Sequence, residues 1–292
     1  FPYTTLFRST MLISFISGII LARLLMPEDY GAIGMLAIFM SLAEVFIDAG
    51  FGSALIQKKQ PSQTDYSTVF YFNIGMSLIL YAVLFFSAPA IAKFYHMPIL
   101  CEVLRVQGLI LFIYAFNIIQ RNQIRKNLKF KKLSKVTITT SVISLIVTVI
   151  MAYLGFGVWA LVAQNFIGAL IPCIFFWVTM NWRPTWEYSW ASFRELFGFG
   201  SYMFLTHLFT TFSQRITGLL VGRWYDPATM GYYTKASQFS KSATLSISGV
   251  MIQTTYPLYA SVQDDKERLA NMVKRITSTL AYITVPMLGL LF

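Results

Sequence analysis

Residues 16–33 read ISGIILARLLMPEDYGAI: an apolar run that ends near Arg23, a polar turn around Pro27-Glu28-Asp29, and the start of a second apolar run. So short a turn between two such runs is the mark of a chain that crosses a bilayer and comes straight back. The pattern returns 200 residues later as ITGLLVGRWYDPATMGYY at 216–233. There Ile16, Gly18, Arg23, Pro27 and Gly31 correspond to Ile216, Gly218, Arg223, Pro227 and Gly231. Each shared residue has a local reason. Arginine snorkels from a helix end, proline starts the next element, and glycine lets two backbones approach closely.

Composition agrees with a membrane reading. Charged residues make up 12% of the 292, against roughly 25% in an ordinary soluble domain, while hydrophobic residues reach 56% and mean hydropathy is +0.61. The fold class expected is therefore all-α and polytopic. The net charge of +11 does not imply nucleic acid, because a nucleic-acid binder displays its positive charge on a charge-rich surface. Cys101 and Cys173 are too few and too dispersed for a disulfide framework, and His96 and His207 do not make an imidazole cluster. No cofactor or metal is expected.

At about 20 apolar residues per crossing, helices fall near 10–26, 31–56, 67–92, 103–120, 136–154, 157–179, 196–222, 231–259 and 272–292. That is about nine transmembrane helices. The loops and flanks on one side carry Lys58 and Lys59; Arg121, Arg125, Lys126, Lys129, Lys131, Lys132 and Lys135; Arg183 and Arg194; and Lys266, Arg268, Lys274 and Arg275. Together these are 15 of the 23 basic residues, and only Arg23, Lys93, Arg105, Arg223 and Lys235 sit on the other side. The positive-inside rule then places the authentic N-terminus in the cytoplasm. The basic cluster from Arg121 to Lys135 reads as a topology signal with some contact to anionic membrane lipids.

Residues 1–9, FPYTTLFRS, read as the translation of a sequencing-adapter oligonucleotide, and 283–292 stop inside an apolar run. The expectation is a fragment with a first transmembrane lobe over 10–180 and the start of a second over 195–292. Six helices separate the two copies of the hairpin, so both have the same orientation. Parallel six-helix repeats make two lobes facing a central path, as in alternating-access transporters.

The first hairpin, Ile20-Leu21-Ala22-Arg23-Leu24-Leu25-Met26-Pro27-Glu28-Asp29-Tyr30-Gly31, resembles the ARLLxPxDYG pattern of the multidrug/oligosaccharidyl-lipid/polysaccharide (MOP) exporter superfamily. Within it, the chain is most similar to the Wzx-type polysaccharide or O-antigen flippases of the lipopolysaccharide-biosynthesis branch. Asp48-Ala49-Gly50-Phe51-Gly52, the basic cluster and the repeat support the likeness. The resemblance implies two six-helix lobes, residence in the bacterial inner membrane, and translocation of undecaprenyl-diphosphate-linked oligosaccharide for O-antigen, capsule or exopolysaccharide. It also implies polysaccharide polymerase machinery as a partner. Other branches, drug/cation antiporters and lipid II flippases, stay open at this point.

Ionisable groups inside the membrane are costly and become functional candidates by default. Glu44 and Asp48 are four residues apart on one helix face, while Arg215 and Lys241 lie well inside the seventh and eighth helices and Lys235 nearer the outer end. Arg215, Lys241, Lys235 and Arg223 are the candidates for meeting an anionic head group. Arg223 also has the position of a snorkelling anchor, like Arg23. Glu44 and Asp48 read either as an ion-coupling pair or as structural partners of Arg215 or Lys241. Asn73, Asn117, Gln164, Asn165 and Gln214 would bond between helices or to sugar hydroxyls. A polyprenol-linked glycosyltransferase or polymerase using Glu28 and Asp29 is the enzymatic alternative, and the short outer loops disfavour it.

Overall fold

The first hairpin shows why its motif has the sequence it has. In the computed structural model, which describes residues 13, 15–126, 130–240, 270–275, 277–278 and 281–282, α1 (Phe15–Leu24) leads into α2 (Pro27–Asp48). Pro27 occupies the first helical position, where its fixed φ fits and no N–H is needed. The Asp29 carboxylate reaches back to accept the Met26 N–H at 3.0 Å and also accepts a backbone N–H from Val158. One acidic side chain thus caps its own helix and ties it to the start of α8 (Val158–Thr179). Asp29, a catalytic candidate in the enzymatic alternative, is taken up by this cap.

The remaining elements are α3 (Phe51–Gln57), α4 (Gln63–Phe94), α5 (Ile99–Gly108), α6 (Ile110–Lys126), α7 (Phe130–Tyr153), α9 (Trp190–Trp224) and α10, residues 227–240. No strand occurs among the described residues. The chain divides into two compact units, Phe1–Gln238 and Phe239–Phe292. In the second, residues 270–275 are helical. Among the described residues five segments are long and apolar enough to span a membrane: α2, α4, the α5–α6 pair over Ile99–Ile124, Lys135–Tyr153 of α7, and α8. Phe86, Val178 and Tyr153 are almost fully exposed, as side chains facing lipid would be.

The segment expected as one helix over 31–56 is two. Ala49 (φ 45°) and Gly50 (φ 76°) are both left-handed, so α2 ends and α3 starts afresh. A Cβ on Gly50 would lie 2.0 Å from the Gly200 carbonyl oxygen. The break therefore sits where α9 crosses at backbone distance, which only glycine permits. Phe51 then packs beside Phe193 and Phe197 of α9, with ring centroids 5.4 Å and 6.0 Å away.

The two copies of the hairpin meet reciprocally. A Cβ on Gly31 would stand 2.1 Å from the Pro227 carbonyl oxygen, and one on Gly231 would stand 1.8 Å from that of Pro27. Each repeat glycine seats the other repeat's proline, the contact a local two-fold axis generates. Gly222 admits Met35 and Tyr95 in the same region.

The connection between α8 and α9 is pinned to the start of α4. Gln63 Nε2 donates to the Arg183 carbonyl at 2.6 Å, Thr64 Oγ1 to Glu187 Oε2 at 3.0 Å, and the Ser189 N–H to Thr68 Oγ1 at 3.1 Å. Ser67 and Thr185 hydroxyls are 3.0 Å apart. Beside them Lys58 Nζ lies 3.0 Å from both Asp65 Oδ2 and Glu195 Oε1. Partial burial works against the Lys58 charge, but the two carboxylates outweigh it and hold its ammonium above the ordinary lysine range. Its stabilisation is complete below the unfolded-state pKa of about 10.4 and is lost only as pH rises through the raised value.

Asp65 is the partner that matters more, since its side chain is 2% exposed against 63% for Glu195, and it also completes a capping box with Ser62. Asp65→Ala is expected to destabilise by about 2 kcal/mol through the lost cap and the stranded Lys58. Glu195→Ala should cost under about 0.5 kcal/mol, as exposed pairs do. Thermal unfolding of the purified variants in detergent checks this. Equal shifts would contradict it.

Candidate functional site

Three helices bring their polar faces together near mid-chain. On α2, Ser41, Glu44 and Asp48 recur at helical spacing on one face. On α6, Tyr114, Asn117 and Arg121 do the same, and α9 contributes His207, Thr211, Gln214 and Arg215. Two cavities lie against these faces. The larger, about 510 Å³, is walled by α2, α5, α6, α7 and α8 with Arg215 from α9. The smaller, about 410 Å³, lies between α2, α3, α6 and α9. Both are lined by Ser41, Glu44, Tyr114, Arg121 and Arg215, so these residues form a shared wall.

Of the residues singled out in the sequence, Glu44 and Arg215 meet in that wall, and Asp48 lines the smaller cavity. Glu44 is within electrostatic reach of both Arg121 and Arg215. Asp48 Oδ1 accepts the Gly52 N–H at 3.1 Å, bridging the α2–α3 break. Arg223 is exposed, with its guanidinium 5.2 Å from the centre of the Phe94 ring. Lys235 places its ammonium 3.8 Å over Tyr30, at the first hairpin. Neither belongs to the lining of the two cavities. Lys241 lies outside the described residues.

Arg121 was the residue that sequence reading put elsewhere. It counted there as a loop charge setting topology, on a ruler that ended the fourth span at residue 120. The helix runs on to Lys126, and Arg121 lines both cavities. The available signal was its spacing of four from Asn117, the hallmark of a shared helix face. His207 of α9 lines the smaller cavity, and nothing in the sequence distinguished it. Of the polar candidates, Asn117, Gln164 and Asn165 line the larger cavity and Gln214 the smaller. Asn73 is fully buried and its amide donates to the Ile47 carbonyl at 2.7 Å, a bond between helices. Among the described residues no group of three or more His, Cys, Asp or Glu is placed to hold a metal ion.

The profile of the polysaccharide biosynthesis protein family matches residues 20–292, beginning inside the first hairpin and running through both copies of the repeat. The chain belongs to this family. Family relatives include the teichuronic acid biosynthesis protein TuaB of Bacillus subtilis, 25% identical over 84% of this chain and 51% of the relative. The succinoglycan biosynthesis transport protein ExoT of Rhizobium meliloti is 23% identical over 94% and 56%. The lipopolysaccharide biosynthesis protein WzxC of Escherichia coli K12 is 21% identical over 93% and 56%. The chain spans about half the length of these relatives. Among solved structures, an inward-facing multidrug resistance MATE transporter of the MOP superfamily superposes with a TM-score of 0.63 at 17% identity, over 96% of this chain and 67% of that one. At that identity the likeness is one of fold. The chain thus shares the all-helical fold of that MOP-superfamily transporter, and a Wzx protein stands among its relatives, as the resemblance in the sequence implied.

Proposed function

We propose that the protein moves undecaprenyl-diphosphate-linked oligosaccharide, a unit of O-antigen, capsule or exopolysaccharide, across the bacterial inner membrane by alternating access. The observation that carries this reading is the wall of Glu44, Arg121 and Arg215 shared by two cavities among apolar helices. Ionisable groups lining a cavity between apolar helices mark substrate or ion paths, and a guanidinium binds phosphate with two parallel hydrogen bonds. Glu44 keeps the pair of arginines from standing uncompensated between substrates and, with Asp48, is the candidate for ion coupling. The relatives' roles in teichuronic acid, succinoglycan and lipopolysaccharide biosynthesis support the same substrate class.

In this reading 10–180 form the first lobe, 195–292 belong to a second, and the basic loops face the cytoplasm. Lys241, Lys235 and Arg223 would extend the cationic path along the second lobe and its outer end. Membrane lipids and the polysaccharide polymerase machinery are the expected partners. The protein carries its substrate chemically unchanged.

The test is complementation of a strain lacking the gene. Arg215→Ala and Lys241→Ala are each expected to abolish surface polysaccharide while leaving membrane levels of the protein intact. Normal polysaccharide in both variants would overturn the assignment of an anionic site.

A further inference from the structure

The larger cavity has a chemistry of its own. Gln107 is 6% exposed, lines the cavity, and its Oε1 has no hydrogen-bond partner; nor has Oδ1 of Asn117 on the same wall. Buried acceptors in that condition cost about 1–3 kcal/mol each unless something donates to them. A third acceptor comes from the backbone. Pro172 sits inside α8 and lacks the N–H that would close on the Gly168 carbonyl one turn earlier. Both Gly168 and Pro172 line the cavity. Beside Gly168 is open space, with nothing within 4 Å of where a Cβ would stand.

We propose that this chamber inside the first lobe is a sugar subsite, taking the neutral, hydroxyl-rich residues nearest the diphosphate, and that Gln107 and Asn117 select them. The proposal rests on the transport reading above. The ligand must bring donors, since two unpartnered amide oxygens and the carbonyl that Pro172 deprives of its helical donor face the cavity. Phosphates and carboxylates bring acceptors and are mismatched. A metal cation would suit carbonyl oxygens but not the neighbourhood of Arg121 and Arg215, which line the same cavity. Hydroxyls and acetamido N–H groups satisfy both conditions. A volume of about 510 Å³ falls within the ~300–1,000 Å³ of small-molecule sites. The arginines form the boundary with the second cavity, so a diphosphate held there presents its attached sugar to the amides.

Three probes separate this from the transport reading: undecaprenyl diphosphate bearing the producing strain's oligosaccharide, undecaprenyl diphosphate alone, and the free oligosaccharide. Binding is measured by tryptophan fluorescence on the purified full-length protein. Gln107→Leu and Asn117→Leu are expected to weaken the glycolipid and the free oligosaccharide about 10- to 100-fold and to leave undecaprenyl diphosphate unchanged. Gly168→Leu, which fills the chamber from a position with room for it, should do the same without disturbing the fold. Arg215→Ala should weaken both lipids and spare the free oligosaccharide. If Gly168→Leu binds the oligosaccharide as the parent does, if the amide variants lose both lipids equally, or if the parent protein fails to bind the oligosaccharide at all, the chamber proposal falls. If the parent binds the oligosaccharide and neither lipid, the chamber stands and the transport reading falls.

Discussion

A Gly231→Val variant is expected to be nearly absent from the membrane, and Gly31→Val to behave alike. Added atoms would have to occupy space 1.8 Å and 2.1 Å from proline carbonyl oxygens of the opposite hairpin. That is about half a normal contact distance, and the obstacle is backbone, which has no rotamer to yield. Over-packing typically costs 1–3 kcal/mol when side chains can rearrange, so here the loss should exceed about 3 kcal/mol. The controls are Gly75→Ala and Gly198→Ala, where nothing lies within 4 Å and helix propensity favours alanine by up to ~1 kcal/mol. Detergent extraction with size-exclusion chromatography and thermal melts reads the result. Gly231→Val recovered at full level as a monodisperse peak would show that the hairpins do not touch.

Transport should fall about 100-fold in Arg121→Ala, with topology unchanged. If Arg121 meets phosphate as proposed, removing its guanidinium forfeits a charge-assisted contact of up to ~3 kcal/mol, worth around two orders of magnitude. The comparison is Lys59→Ala, a basic residue of the loop before α4. Were Arg121 merely a topology charge, both substitutions would act alike and weakly, because the remaining basic residues still fix the orientation. Rates of glycolipid translocation in proteoliposomes, with reporter fusions on the loops, separate the two cases. Equal rates for both variants would remove Arg121 from the path.

The hairpin motif was the most legible part of this chain, because short-range rules write it. Pro27 starts a helix, Arg23 snorkels from the end of the one before, and Gly31 is small for a reason that recurs at 231, whereas the cap made by Asp29 is seen only in the structure. What the motif did not disclose was the partner. Nothing local says that Gly31 faces Pro227, or that Asp29 also reaches Val158. The charged wall was half legible. Glu44 and Arg215 stood out because ionisable groups are scarce in apolar runs, whereas Arg121 was hidden at the edge of its run among loop lysines. A hydropathy ruler ends a helix where polarity begins, and α6 continues into polarity because Arg121 and Asn122 face a cavity and Lys126 Nζ donates to the Leu55 and Lys58 carbonyls at the end of α3. The break at Ala49-Gly50 was hidden for a different reason, since the cause is the passage of α9, a residue distance of 150 away.

The segment from Met180 to Ser189 carries a proline, two tryptophans and charges of both signs. It is held at Arg183, Thr185, Glu187 and Ser189 to the first two turns of α4. Its backbone is therefore a poor substrate for a protease, which must draw an extended segment away from the body before cutting. For the same reason it is a poor place for an epitope tag or a reporter, since an insertion there would have to break its fastenings to α4.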